Sequence, residues 1–199
     1  MRAWGYAQGV IAGSIILLNG PSSAGKTTLC RALQSALPEP FVHFSYDFLV
    51  FDTTAIPPKR QNDPAFAWRV RGPKVFRGSC ACLAALAGAG NNVVSDYIIE
   101  TTEQLGWLRG ALRDLDVFLV GVHCDLAELE RRERARGDRT VGDARRDLET
   151  VHSFTPYDFE VDSALEAAVN ARAITTAWLE RRQRTSVWNL ETAETPALE

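Results

Sequence analysis

The sequence contains little cysteine. Its 199 residues include four cysteines with no regular spacing, and Cys80 and Cys82, two apart in a helical pattern, point to different faces of a helix. We therefore expect reduced thiols, as in a cytoplasmic protein, and neither a disulfide framework nor a cysteine metal site. The three histidines lie on or beside predicted strands without metal-ligand spacing, so they are interpreted as satisfied core or edge residues.

Lysine and long apolar runs are scarce as well. Only three of the 22 basic residues are lysines, and the formal net charge is −3. This balance provides no extended positive surface, so no nucleic-acid partner is expected. No apolar run reaches the roughly 18 residues of a membrane span. Residues 1–13 lack the charged and apolar regions of a secretion signal. The sequence thus predicts a cytoplasmic protein without a membrane partner.

Short apolar runs alternate with helical patterns along the chain. Predicted strands cover residues 15–18, 41–45, 92–95, 116–124 and 157–162. Predicted helices cover residues 26–37, 65–89, 103–113, 125–137 and 163–182. The second is expected to be broken or kinked at Gly72-Pro73, and the last two begin with capping-box spacings. This alternation indicates an α/β fold with a parallel sheet covered on both faces. We expect one domain over residues 1–199, with a leader (1–13) and a tail (184–199) that are peripheral.

The segment NGPSSAGKTT lies between the first strand and the first helix. It fits G-x-x-x-x-G-K-[ST], the spacing of a phosphate-binding loop, in the context that this motif requires. Backbone N–H groups of such a loop and the positive end of the helix hold phosphate oxygens. Lys26 is expected to reach the β- and γ-phosphates, and the Thr27 hydroxyl to ligate Mg²⁺. The predicted ATP-binding residues are Gly20, Pro21, Ser22, Ser23, Ala24, Gly25, Lys26, Thr27 and Thr28.

A kinase needs three further parts: a base near the acceptor hydroxyl, a carboxylate that orients the metal, and cations that neutralise the moving phosphoryl group. Asp47 follows the second strand and Asp96 ends the third, at the sheet edge where open α/β folds bind ligands. We predict that Asp47 is the base, with a helix N-cap as the alternative. Asp96 is the predicted Mg²⁺ residue, with a solvated loop acid as the alternative.

Five arginines follow the fourth strand in the run ERRERARGDR. They cannot all face one ligand, and Glu128, Glu130 and Glu133 provide partners at helical spacing. Most of these arginines are therefore interpreted as a solvated, ion-paired helix face. Arg136 and Arg139 flank a Gly-Asp pair, where a hinge can fold guanidinium groups over the phosphates. We predict an arginine-rich lid in which at least one of these two residues reaches the active site.

Together these pieces resemble the chloramphenicol phosphotransferase-like family of P-loop kinases. The matching segments are IILLNGPSSAGKTTLCRALQSALPEPF, FSYDFL, GAGNNVVSDYI, LDVFLVGVHCDLAELERRERARGDR and VHSFTPYDFEVDSA. The resemblance implies a five-stranded parallel sheet with flanking helices and a mobile lid. It also implies transfer of the ATP γ-phosphate, with Mg²⁺, to a hydroxyl of a small molecule such as chloramphenicol, which inactivates that antibiotic. Asp47 corresponds to the family's proposed base, and Arg136 and Arg139 to its lid arginines.

The acceptor is the part that the sequence leaves open. Residues 52–74 differ from the chloramphenicol enzyme, and one acid, Asp96, stands where that enzyme has two. A kinase for a sugar nucleotide, nucleoside or other metabolite is one alternative, and an ATP-binding protein or ATPase without an acceptor is another. A homo-oligomer is an open alternative to a monomer. Six aromatic residues lie in segments expected to surround the acceptor: Tyr46, Phe48, Phe51, Phe66, Trp68 and Tyr97. Some are interpreted as core residues, and a few as the lining of a pocket for an apolar or aromatic substrate.

Overall fold

The first apolar run forms the central strand of a parallel sheet. The computed structural model describes residues 10–52, 55–57, 64, 67–136, 142–181 and 188, except for the side chains at 52 and 136. The central strand, β1 (Ser14–Asn19), pairs with β3 (Asn92–Tyr97) on one side and β4 (Asp116–His123) on the other. The outer strands are β2 (Phe41–Ser45) and β5 (Phe159–Asp162). The predicted five-stranded parallel sheet is therefore confirmed, with the strand order β2-β3-β1-β4-β5.

Helices cover both faces of this sheet, which explains why its central strands are apolar without alternation. One face packs against α1 (Lys26–Ala36) and α6 (Ala167–Glu180). The other face packs against α2 (Trp68–Gly88) and α3 (Thr102–Ala111). Two further helices, α4 (Leu126–Arg136) and α5 (Asp143–Thr150), follow β4. Among the described helices, none has both the length and the apolar character needed to cross a bilayer.

The register of the sheet brings the polar ends of three strands together. Asp96 of β3 is level with Leu18 of β1 and with Ser45 of β2. Asn19, the last residue of β1, is level with Gly121 of β4. Because ligands of open parallel sheets bind beyond the carboxyl ends of the strands, the segments that leave this edge define where a site can form.

Two helices differ from their predicted form. α2 runs continuously through Pro73, so the predicted alternative of a break at Gly72-Pro73 is wrong, whereas that of a kink stays a prediction. Pro73 lies in the second turn, where its missing N–H removes a single helical hydrogen bond. The predicted capping box at residues 163–166 is also wrong, since α6 begins only at Ala167 and no side chain caps it. The Ser163 hydroxyl instead accepts a hydrogen bond from Arg132 at 3.2 Å.

The helix α5 was not predicted at all. Gly142 precedes it in the left-handed region, with φ of 104°. The buried Glu133 carboxylate of α4 accepts hydrogen bonds from the N–H groups of Gly142 and Ala144, at 2.8 and 3.0 Å. These bonds satisfy N–H groups that a helix start leaves without partners. Glu133 thus caps α5, instead of belonging to an ion-paired helix face as predicted, and a cap from another helix leaves no local sequence pattern.

The structure describes a part of each predicted peripheral segment. Of the leader it describes residues 10–13, and of the tail only Trp188. The Trp188 side chain is fully buried in the core layer that contains α2 and α3. The guanidinium group of Arg109 lies 5.8 Å from the centre of the Trp188 ring. This one residue of the tail is therefore part of the packed core.

Candidate active site

The phosphate loop connects β1 to α1. Gly25 immediately precedes α1 in the left-handed region, with φ of 85°, a conformation that glycine adopts without strain. Gly20 is closely packed, because a Cβ there would lie 2.5 Å from the carbonyl oxygen of Val122 in β4. The Lys26 ammonium group donates to the carbonyl oxygens of Gly20 and Pro21 at 2.8 and 2.7 Å. Lys26 thus extends back across the loop that would hold the phosphates.

Asn19, directly before the loop, links three separate backbone segments. Its side-chain amide donates to the Val151 carbonyl oxygen and to the Tyr157 hydroxyl, both at 2.8 Å. Its amide oxygen accepts the N–H of Ile99 at 3.0 Å. Asn19 is almost completely buried, so these bonds are costly to break. They fix the start of the phosphate loop relative to the ends of β3 and α5.

Asp96 lies beside the loop and is buried, so the alternative of a solvated loop acid is wrong. The Thr27 hydroxyl donates to its Oδ2 at 2.9 Å, and His43 Nε2 lies 3.0 Å from its Oδ1. Burial opposes ionisation of Asp96, but hydrogen bonds from His43 and Thr27 and the charge of Lys26 outweigh it and lower its pKa. The structure therefore brings the two predicted metal residues, Thr27 and Asp96, into direct contact.

A cavity of about 1000 Å³ opens beside the phosphate loop. Lys26 and Thr27 line it on the loop side, and Asp47 lines it beyond the end of β2. The N–H of Asp47 donates to the Ser45 hydroxyl at 3.2 Å, and a π-helical turn, Phe48–Asp52, follows directly. The structure thus brings the predicted base to the same cavity as the predicted ATP-binding residues.

Aromatic side chains form much of the wall of this cavity. Tyr46 and Tyr97 both pack against Phe76, with ring centres 5.4 and 5.5 Å apart, and Trp107 lies 6.0 Å from Phe76. Four of the aromatic residues predicted around the acceptor line the cavity, whereas Phe48 packs against His43 and Phe66 lies outside the described residues. Phe76 and Trp107 were missed. The aromatic lining residues are Tyr46, Phe51, Trp68, Phe76, Tyr97 and Trp107.

Asp147 of α5 is a further site residue that was not predicted. Its Oδ2 accepts the backbone N–H of Ser22, within the phosphate loop, at 3.0 Å. The carboxylate is 3% exposed, and burial raises its pKa. The adjacent Arg146 lines the cavity and lies 3.0 Å from Asp143 and 3.4 Å from Asp147. No sequence signal marked these residues, since they lie in a polar segment without a motif.

The predicted lid arginines lie at the limit of the described chain. Arg136 is the last residue of α4 and its side chain is not described, whereas Arg139 lies outside the described residues. Arg131 pairs with Glu128 at the surface, as expected for an ion-paired helix face. Arg132 also pairs with Glu128, at 2.6 Å, but its guanidinium group turns inward as well and donates to the Ser163 carbonyl oxygen at 2.9 Å.

A second cavity, of about 280 Å³, lies against Arg132. Gly25 and Thr28 bound it on the side of the phosphate loop, and the exposed Leu165 contributes apolar surface. Gly25 and Thr28 line the larger cavity as well, so a ligand held by the phosphate loop borders both cavities. The only sequence signal for the smaller cavity was the arginine run, which did not distinguish Arg132 from its neighbours.

Comparisons with known proteins agree with this geometry. The family model described as chloramphenicol phosphotransferase-like protein matches residues 13–179. Proteins of two Mycobacterium tuberculosis strains, named as candidate O-phosphotransferases, are 34% identical over 179 residues, which cover 78% of this chain and 77% of each relative.

Two solved structures share the fold at low sequence identity. The APS kinase of Mycobacterium tuberculosis, in complex with AMPPNP and APS, has a TM-score of 0.65 and 18% identity, with 84% of this chain and 98% of that one covered. The tunicamycin resistance protein of Deinococcus radiodurans has a TM-score of 0.58 and 22% identity, and the match covers 82% of this chain and 94% of that protein's chain.

Proposed function

Because the chain belongs to the chloramphenicol phosphotransferase-like family, and is therefore a phosphotransferase, we propose that it moves the γ-phosphate of ATP to a hydroxyl group of a small molecule. The observation that carries this proposal is that Lys26, Thr27 and Asp47 line one cavity of about 1000 Å³. A nucleotide on the phosphate loop and an acceptor beside Asp47 would share that space. A protein that only binds ATP needs neither the acceptor space nor the base, and one that hydrolyses ATP needs no space for an acceptor larger than water.

We assign the ATP phosphates to the loop and the adenine ring to the smaller cavity. Loop N–H groups and the N-terminus of α1 attract phosphate oxygens, and Lys26 would turn from the carbonyl oxygens of Gly20 and Pro21 to the β- and γ-phosphates. The exposed apolar surface of Leu165 and the guanidinium plane of Arg132 suit a flat base. The APS kinase structure, which holds AMPPNP and APS together, supports simultaneous binding of two ligands in this fold.

Mg²⁺ is the metal ion that fits the contact between Thr27 and Asp96. The pair offers a hydroxyl and an ionised carboxylate, and Mg²⁺ prefers oxygen ligands. When bound, Mg²⁺ would neutralise part of the phosphate charge. The chain itself keeps Asp96 ionised and in place through His43 and Thr27.

In the proposed reaction, Asp47 accepts the proton of the acceptor hydroxyl while the oxygen of that hydroxyl attacks the γ-phosphorus. A bond forms between that oxygen and phosphorus, the bond from the γ-phosphorus to the β,γ-bridging oxygen breaks, and ADP leaves. Lys26 and the lid arginines Arg136 and Arg139 are proposed to balance the charge of the moving group. Arg146 already lines the cavity and adds a further cation.

The cavity favours a neutral acceptor with a flat apolar part, such as chloramphenicol, over an anionic metabolite such as a sugar nucleotide. Its aromatic wall offers large apolar faces. Among the described lining residues, six carboxylates outnumber four cations. Because ATP adds more negative charge, an anionic acceptor would be repelled. The tunicamycin resistance protein, which shares the fold, is consistent with an antibiotic acceptor. The carboxylates are Asp47, Asp96, Glu100, Glu103, Asp143 and Asp147, and the cations are Lys26, Arg69, Arg71 and Arg146.

The test is γ-phosphate transfer from labelled ATP to neutral hydroxyl compounds, headed by chloramphenicol, and to anionic sugar nucleotides. We expect a phosphorylated neutral product and a loss of roughly 10²–10⁴-fold in kcat for Asp47→Asn, as for removal of a general base. Asp114→Asn, at an exposed acid beyond α3, is the matched control and should keep the parent rate. Full activity of Asp47→Asn would exclude Asp47 as the base, and transfer only to anionic compounds would contradict the acceptor class.

A further inference from the structure

Three potential metal ligands meet behind the phosphate loop, on three different elements. Cys30 of α1, His43 of β2 and Asp96 of β3 each offer one ligand atom, and these atoms all lie within 4.8 Å of one another. Cys30 is fully buried, and the side chains of His43 and Asp96 are 8% and 5% exposed. We propose that Cys30, His43 and Asp96 form a binding site for a thiophilic divalent cation such as Zn²⁺, which shares only Asp96 with the Mg²⁺ site.

The geometry requires only small movements of the three side chains. An ion between three atoms that are at most 4.8 Å apart can lie within about 2.8 Å of each of them, whereas Zn²⁺ bonds are about 2.0–2.3 Å long. His43 Nε2 and Asp96 Oδ1 are already 3.0 Å apart. The fourth ligand would be a water molecule, as in zinc sites with an open position. Each ligand atom therefore has to move by less than about 1 Å.

The charges at the site also suit a divalent cation. A thiolate and a carboxylate balance the two positive charges of the ion, and a neutral imidazole adds none, so the buried complex is neutral. Binding requires that the Cys30 thiol releases its proton to solvent. Burial and the neighbouring Asp96 raise the pKa of that thiol, so the ion has to compete with a firmly held proton. Affinity should consequently fall as the pH is lowered.

The ligand types separate this site from the one proposed for Mg²⁺. Magnesium ions take oxygen ligands and avoid thiolate and imidazole, whereas zinc ions bind sulfur and nitrogen readily. The two sites share Asp96, so an ion on Cys30 and His43 would draw that carboxylate away from the Thr27 hydroxyl. Zn²⁺ should therefore inhibit phosphate transfer, and this consequence, unlike the binding itself, rests on the proposed function.

The test uses Co²⁺ as a spectroscopic substitute for Zn²⁺, with the full-length protein and without ATP or acceptor. We expect an intense near-ultraviolet charge-transfer band, which requires a thiolate bound to cobalt, and displacement of Co²⁺ by one equivalent of Zn²⁺. Cys30→Ser should abolish the band. Cys124→Ser, which alters another buried cysteine of the same core layer, is the matched control and should retain it. His43→Gln should weaken Co²⁺ binding at least roughly tenfold.

Several results would overturn the proposal. Absence of the band with the parent protein would mean that the three side chains form only a hydrogen-bonded group around Asp96. A band that persists in Cys30→Ser would place the ion on another thiol, such as the exposed Cys82. Unchanged affinity in His43→Gln would remove His43 from the ligand set. Since the measurement involves no phosphate transfer, a failure of the proposed kinase reaction would leave its outcome unaffected.

Discussion

Acidification should weaken the fold through one histidine next to the phosphate loop. His152, two residues beyond α5, stacks on His123 with ring centres 4.1 Å apart, and its Nδ1 lies 2.8 Å from the Tyr157 hydroxyl. Among the described residues, its buried Nε2 has no hydrogen-bond partner. Burial, and then the charge of His123, lower the pKa of His152 from 6.5 to about 4. The folded protein therefore holds this ring neutral where the unfolded chain would protonate it.

The sign and size of the effect follow from that shift. Between pH 6.5 and about pH 4 the unfolded state binds a proton that the folded state does not, so the free energy of unfolding decreases as the pH falls through this window. A shift of this size corresponds to at most about 3 kcal/mol. Because the ring is only half buried, solvent screening should reduce the loss to about 1–2 kcal/mol.

Urea unfolding of the parent and of His152→Gln, from about pH 7 to pH 4.5, measures this loss. Glutamine keeps a polar contact for Tyr157 but does not titrate, so the difference between the two proteins isolates His152. This subtraction is needed because the raised pKa of Asp147 acts with the opposite sign. We expect the parent to lose about 1–2 kcal/mol more than the variant. If both proteins lose stability in parallel, the neutral buried state of His152 is refuted.

Three further substitutions test other contacts. Gly121→Ala would put a Cβ 2.7 Å from the Tyr157 ring, whose hydroxyl is held by hydrogen bonds, so thermal unfolding should show a loss of about 1–3 kcal/mol. Asp147→Asn keeps an acceptor for the Ser22 N–H but removes a negative charge from the loop, so calorimetry should show ATP binding tighter by up to roughly tenfold. Arg132→Met should weaken the binding of ATP about tenfold but leave the binding of inorganic triphosphate unchanged. Equal losses of affinity for the two ligands would contradict the adenine assignment.

Elements with strong local signals were predicted correctly from the sequence. The apolar run of β1 followed by the glycine-rich loop predicted a buried parallel strand, a phosphate loop and a helix, and the structure has all three in that order. The order of strands and helices was enough to predict the parallel sheet and so the edge at which Asp47 and Asp96 lie. These features depend on the periodicity of neighbouring residues and on turn chemistry, both of which a single sequence displays.

The residues that were missed or misinterpreted act through contacts outside their own helix. Asp147 binds the N–H of Ser22, 125 positions earlier, and Glu133 caps a helix to which it does not belong. Arg132 resembles its neighbours in the sequence, yet tertiary contacts turn it toward Ser163. In each case the residue type is ordinary and only the fold supplies the partner, so no local pattern could have identified it.

The three hydrogen bonds of Asn19 have a consequence for how such proteins diverge. Its partners Ile99, Val151 and Tyr157 lie beyond β3 and around the end of α5. The aromatic wall of the larger cavity comes in large part from the turn after β2 and from α2. Substitutions in those two segments can reshape the proposed acceptor pocket while the buried amide keeps the phosphate loop in position. Such a division allows a lineage to exchange one acceptor for another without rebuilding its nucleotide site.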